Sequence, residues 1–266
     1  LKKIQFFLDK SKKPIFLIGG GIKNSKFKDQ LLNILKKNHL PFVTTWTSQD
    51  IVSWSQKNYL GSIGKNGHRS ANLCCEEADL IITIGQRFAV KNIFGKFGKK
   101  AKIISIDIDK KELKSPLLKI DYGINVSIDD FVKNLNIKIK KKNIKSWIKK
   151  TEIIKKKIFK INVCKKNLRD KKINPFEFFR CSGDYFGRNW IIHLDIGAHQ
   201  TWFYQSFNQK RGQKLVNHCG HGAMGHAICS SISGYYADKN KKKNPQIQAV
   251  QPDSFSKKTH NIPRIG

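Results

Sequence analysis

The sequence predicts an α/β protein: a parallel-sheet, Rossmann-like domain followed by a partial second α/β domain. Three observations carry this. Strand-length apolar runs such as PIFLI and LIITI are continuous rather than alternating, as in strands buried on both faces. Helical periodicity separates the runs. Glycine directly follows two of them, at 19–21 and at 85, where a parallel sheet hands the chain to a crossover.

In chain order, PIFLIGGG (14–21) reads as a strand running into a glycine turn. A helix comes next, with Ser25 as N-cap and Phe27, Leu31, Ile34 and Leu35 on one face. Lys36 and Lys37 lie in its last turn, where cations suit the helix dipole. PFVTTW (41–46), ADLIITIG (78–85) and KIISIDID (102–109) are the second, third and fourth predicted strands. The stretch 138–172 changes character, with 16 Lys or Arg against two acids, Glu152 and Asp170. Ile144, Trp147, Ile148, Ile154, Ile158 and Ile161 recur there at helical spacing. This is a basic amphipathic helix, read as an interdomain linker rather than a membrane-surface or RNA-binding helix.

After Pro175 a second α/β pattern begins, with FEFF at 176–179 and WIIHLDIG (190–197) as strand then turn. The glycine-rich loop HCGHGAMGHA spans 218–227. From Ala237 periodicity fades and prolines accumulate, which predicts a frayed or truncated end. The domain plan is therefore 1–136, a basic helical linker over 137–173, a second domain start over 174–238, and a degraded or truncated tail over 239–266.

Composition narrows the function classes. The 266 residues hold 52 Lys plus Arg against 19 Asp plus Glu, a formal charge of +33. Arginine, the usual residue for bidentate phosphate or base recognition, is scarce beside lysine, so the excess reads as solvated surface. No aromatic–basic interleaving or helix-turn-helix pattern supports a nucleic-acid partner. The opening LKKIQFFLDKSKK has too short an apolar run for a signal or a membrane span. Six cysteines (74, 75, 164, 181, 219 and 229) form no CxxC pair, which predicts reduced thiols in a cytoplasmic protein. The start at Leu1 rather than Met predicts further sequence upstream.

Several residues are candidates for chemistry. Gly19, Gly20 and Gly21 at a strand-to-helix junction would let backbone N–H groups approach a phosphate; the alternative is a tight turn. GGGIKNS lacks the last glycine of the dinucleotide fingerprint. Asp107 and Asp109 would hold a ribose hydroxyl or, equally, cap a turn. His218, Cys219, His221 and His226 crowd one loop, but no second ligand pair stands at zinc spacing. Cys74 and Cys75 read as core residues at a helix end. No GxSxG or comparable nucleophile arrangement occurs.

An ordered set of motifs then carries a resemblance. KKPIFLIGGGIKNS, LPFVTTWTSQD, GSIGKNGHRSAN, EEADLIITIGQRF, AKIISIDIDKKEL and KIDYGI resemble, in order, the central domain of thiamine-diphosphate enzymes of the acetolactate-synthase type. DIGAHQTWFYQSFNQKRGQKLVNHCGHGAMGHAICSSISGYY resembles the start of their diphosphate-binding domain. GHRSAN, KNIFGKF and KSPLLKID are closer to members associated with surface-sugar pathways.

The resemblance implies decarboxylation of a 2-keto acid with two-carbon transfer, using thiamine diphosphate and Mg2+, in a homodimer or tetramer. Gly222–Ala223–Met224–Gly225 matches the family's GTMG, with Met224 the bulky residue beneath the cofactor and the Gly222 carbonyl accepting from its aminopyrimidine. Met224 is the single methionine of the chain; otherwise it would be a core filler. Gly197–Ala198–His199–Gln200 matches the GQHQ that touches the diphosphate. Gly19, Gly20, Gly21, Thr45, His68, Gly85, Arg87, Asp107 and Asp109 match positions that hold FAD in members that bind it.

The departures are specific. The family's GxRFDDR reads GQRFAVK, so Ala89 and Val90 replace the acidic pair and Lys91 the arginine that selects the second keto acid. The activating glutamate belongs to a domain outside this sequence. Where GDG…N should bind magnesium, the sequence offers Pro252–Asp253–Ser254–Phe255, and one aspartate is too few oxygens for a hard cation. These departures predict a chain unable to run the chemistry alone. The other readings are a non-catalytic FAD- or NAD-binding module and, further off, a basic nucleic-acid-binding protein.

Overall fold

Runs buried on both faces need cover on both, and the computed structural model supplies it. It describes residues 2–90, 92–93, 95–139, 141–161, 173–218, 220–238 and 247–250. Six strands pair in parallel: β1 (Pro14–Ile18), β2 (Phe42–Thr44), β3 (Tyr59–Ser62), β4 (Leu80–Ile84), β5 (Lys102–Asp107) and β6 (Tyr122–Asn125). Their spatial order is β3-β2-β1-β4-β5-β6, the doubly wound order, which reverses between β1 and β4.

Side-chain alternation along each strand divides the core in two. Phe16, Ile18, Phe42, Ile82, Ile84, Ile104 and Ile106 face one way, against α1 (Lys2–Lys10), α2 (Lys28–Lys37) and α4 (Ile128–Lys133). Ile15, Leu17, Val43, Ile81 and Ile103 face the other, against α3 (Arg69–Glu77). The basic helix is α5 (Lys141–Ile161). Its apolar stripe packs onto the core of the large sheet. Ile144 enters the first cluster and Trp147 the second, and Trp147 Nε1 donates to the Pro14 carbonyl at 3.1 Å. Of its lysines whose side chains are described, all but Lys155 are exposed.

The second unit comprises α6 (Pro175–Tyr185), β7 (Ile191–Leu194), α7 (Ala198–Ser206), β8 (Lys214–Asn217), α8 (His226–Asp238) and β9 (Ile247–Val250). Its three strands are parallel in the order β8-β7-β9. Asn174 caps α6, its side chain accepting from the amides of Phe176 and Glu177, with Pro175 at the first helical position. Phe179, Phe203, Tyr204 and Phe207 pack with Ile192 and Leu194 as its core.

Three expectations are corrected, and FEFF is given its element. Two strands of the large sheet, β3 and β6, fell between the predicted ones: β3 is four residues containing a glycine, and edge strand β6 is only half-buried. Ser25 is not the N-cap of α2, which starts at Lys28; its hydroxyl accepts from the Phe27 amide at 3.1 Å and pairs with Asp129. The β4–β5 connection carries turns rather than a crossover helix among its described residues. FEFF belongs to helix α6. In addition, the region assigned to a degraded tail contributes β9, in register with β7 (Ile191 opposite Ile247). Asp253 and its neighbours, Lys91, Cys164, Asp170 and Cys219 lie outside the described residues.

Candidate functional site

In a doubly wound sheet ligands sit outside the carboxyl ends of the strands where the order reverses. Here that point is filled by protein. The Gly19 amide donates to the Ile84 carbonyl at 2.8 Å and the Gly21 amide to the Gly85 carbonyl at 3.2 Å. A Cβ on Gly19 would come within 2.1 Å of the Gly85 oxygen, so this glycine permits direct contact between two backbone loops. Gly20 abuts the Thr47 hydroxyl, and Ile128 closes over Gly21 and Gly85. The chain leaves β1 through a five-residue 3-10 turn, Gly20–Asn24, rather than a helix.

The remaining positions matched to flavin are equally engaged. The Thr45 hydroxyl bonds those of Thr47 (2.7 Å) and Ser48 (3.1 Å). Arg87 pairs with Glu112 at 3.3 Å. Asp107 accepts from the Asp109 amide and Asp109 from the Lys111 amide, so both cap turns. His68 is buried, stacks on Trp54 at 4.6 Å and accepts at Nδ1 from the Ser62 amide. Burial, and then the nearby Lys155 charge, pull its pKa down to about 3. Lys155 itself donates to the carbonyls of Trp54 and Gln56 and lies 4.5 Å over the Trp54 ring; burial lowers its pKa to about 8. Cys74 and Cys75 are core residues of α3, as expected; burial lifts the Cys74 thiol to about 12 and raises Cys75 well above its usual value.

The carboxyl edge of the small sheet is built differently. The chain leaves β7 through Asp195, Ile196 and Gly197 and enters α7, where His199 and Gln200 are buried. Gln200 Nε2 is a buried donor with no hydrogen-bond partner among the described residues. The chain leaves β8 through the histidine–glycine loop and enters α8. Gly222 and Gly225 hold φ of +72° and +84°, a conformation natural to glycine. Added Cβ atoms there would meet nothing within 4 Å. Met224 between them is 79% exposed, so it fills no core gap.

His218, His221 and His226 lie ring against ring, at 5.5 Å and 4.5 Å from His218. Stacking presents faces rather than converging nitrogens, and no group of three His, Cys, Asp or Glu able to hold a metal occurs among the described residues. His193 on β7 bonds the Ser230 hydroxyl at 2.8 Å; burial and then His226 lower its pKa. Sequence reasoning passed over Asp195. It is 1% exposed and accepts from the Ile196 and Gly225 amides, each at 2.8 Å. Its only sequence signal is an acid closing an apolar strand, which Asp107 shares.

Comparison with known proteins decides the family. The sequence pattern of the thiamine pyrophosphate enzyme central domain matches residues 1–135. The chain belongs to the thiamine pyrophosphate enzymes. Among its relatives, the acetolactate synthase large subunit of Lactococcus lactis is 30% identical over 91% of this chain and 42% of its own length. The probable acetolactate synthase large subunit of Methanococcus aeolicus is 28% identical over 91% of this chain and 43% of its own. The isozyme 1 large subunit of Escherichia coli is 26% identical over 88% and 41%. The chain thus spans less than half the length of these relatives. No helix among the described residues is long and apolar enough to cross a membrane.

Proposed function

We propose that this chain supplies the central domain and the cofactor-shaping part of a cytoplasmic acetolactate-synthase-type enzyme acting on a 2-keto acid. The observation that carries the reading is Met224: an apolar side chain held out from the protein on a glycine loop, beside the carboxyl end of β7. A side chain so placed suits an apolar ligand surface rather than the core.

When bound, thiamine diphosphate supplies the carbanion chemistry of decarboxylation and two-carbon transfer. The chain's own residues bind and orient. Met224 offers an apolar wedge, and the Gly222 carbonyl accepts from an amino group. Buried Gln200, with its unpartnered Nε2, and His199 near the start of α7 suit the diphosphate end. Magnesium has no ligand group among the described residues, and no step is assigned to it. The positions matched to flavin give it no support: Gly19 and Gly21 bond Ile84 and Gly85 at the end of β4, and Thr45, His68, Arg87, Asp107 and Asp109 each bond a neighbouring residue. The row Ile228, Ile232 and Tyr235 on α8, each about half exposed, supports assembly with further copies as a homodimer or tetramer.

Titration of the full chain with thiamine diphosphate tests the reading through tryptophan fluorescence, since Trp202 lies on α7. Saturable quenching with a Kd below about 1 mM is expected, weakened about tenfold in Met224→Ala. No saturable change at several times that concentration overturns it.

A further inference from the structure

We infer that Asp195 is a positioning residue: its carboxylate latches the Met224 loop to the end of β7 and so sets one half of the candidate site against the other. The cofactor role of that loop rests on the reading above; the latch itself does not.

The geometry is specific. Asp195 stands one residue beyond β7 and three before α7, so it is fixed to the segment that delivers His199 and Gln200. One oxygen accepts from the Ile196 amide, holding the carboxylate in a single orientation. The other crosses to the Gly225 amide at 2.8 Å, 30 residues further along the chain. Gly225 immediately precedes α8, so its amide belongs to the donors that a helix start leaves without internal partners. A carboxylate there is favoured by the dipoles of both α7 and α8.

The loop's other ties are the stacked rings of His218, His221 and His226 and the start of α8, which His193 holds to β7 through the Ser230 hydroxyl. The loop glycines are not packed, Met224 is exposed, and within the loop Gly222 closes only a local turn, its amide donating to the His218 carbonyl at 3.1 Å. The bond from Gly225 to Asp195 is the tie beside Met224 that reaches the segment leading into α7. A buried carboxylate bonded only to amides also has a clear failure mode: an amide side chain in its place presents an N–H to one of two N–H groups.

Hydrogen exchange on the full chain tests the latch without any ligand. In the wild type, the Gly225 amide is expected to exchange at least about tenfold more slowly than an unstructured glycine. In Asp195→Asn that protection is lost, while the amides of Ile192 and Leu194 in β7 stay protected. Met224, labelled at its methyl carbon, then shifts its NMR signal. Thiamine diphosphate affinity falls about tenfold at unchanged Tm, which a loss of general stability would not produce. If Gly225 exchanges freely in the wild type, or stays protected in the variant, the latch is wrong. If the wild type shows the protection but never binds thiamine diphosphate, the cofactor reading fails and the latch stands. Should Asp195→Asn not fold, the wild-type exchange at Gly225 alone decides.

Discussion

The carboxyl edges of the two sheets use glycine in opposite ways. At the large sheet, Gly19 and Gly85 bring two loops into backbone contact, with Ile128 against them. At the small sheet, Gly222 and Gly225 have open space where a side chain would be and serve to turn the chain. One edge is closed packing; the other is an open loop tied at its base. Glycine next to a parallel strand therefore does not by itself mark a ligand site.

The contrast can be broken by substitution. Gly19→Ala forces a Cβ within 2.1 Å of the Gly85 oxygen, and a loss of about 3 kcal/mol in denaturant unfolding is expected. A loss below about 1 kcal/mol would mean the two loops part easily and the crevice is available after all. Acid sharpens the comparison next. His68 has its pKa lowered from 6.5 to about 3 when folded, so its contribution is complete above pH 6.5 and lost as pH falls toward 3. Stability should drop by about 2 to 3 kcal/mol between pH 7 and pH 4.5, and His68→Gln should flatten that part of the profile. An unchanged profile in the variant would place the acid sensitivity elsewhere. The smallest effect is at the open loop. Gly222→Ala meets no atom of the described residues but must hold φ near +72°, which costs about 1 to 2 kcal/mol. A cost as large as that at Gly19 would show the loop to be packed.

The same contrast explains which parts of the molecule were legible in the sequence. β1, β4 and β5 are five or six residues each with a mostly apolar, buried centre, and such runs announce themselves. β3, β6 and β8 are four residues each, with a glycine or half-exposed positions, and no period can be read over so short a span. β9 lies close to a lysine run and a proline, so only its pairing with β7 identifies it. The Met224 loop was visible because Gly222–Ala223–Met224–Gly225 resembles the family's GTMG. Asp195 was not, since Asp107 has the same sequence setting and merely caps a turn. Partners 30 residues apart leave no local trace.

The seam between the two units is drawn largely from one short stretch after β2. Trp46 meets Tyr204 edge-on at 5.8 Å, and Gln49 donates to the Tyr204 carbonyl. Asp50 accepts from the Leu215 amide and from Lys23, and the Trp54 amide donates to the Gln209 carbonyl. Each contact occupies its own position along the stretch, so gaining or losing a single residue there would shift them all out of step. The turns between β4 and β5 take no part in these contacts and can drift in length. Evolutionary freedom in this chain is thus uneven: its joint is measured in residues, while its outer loops are not.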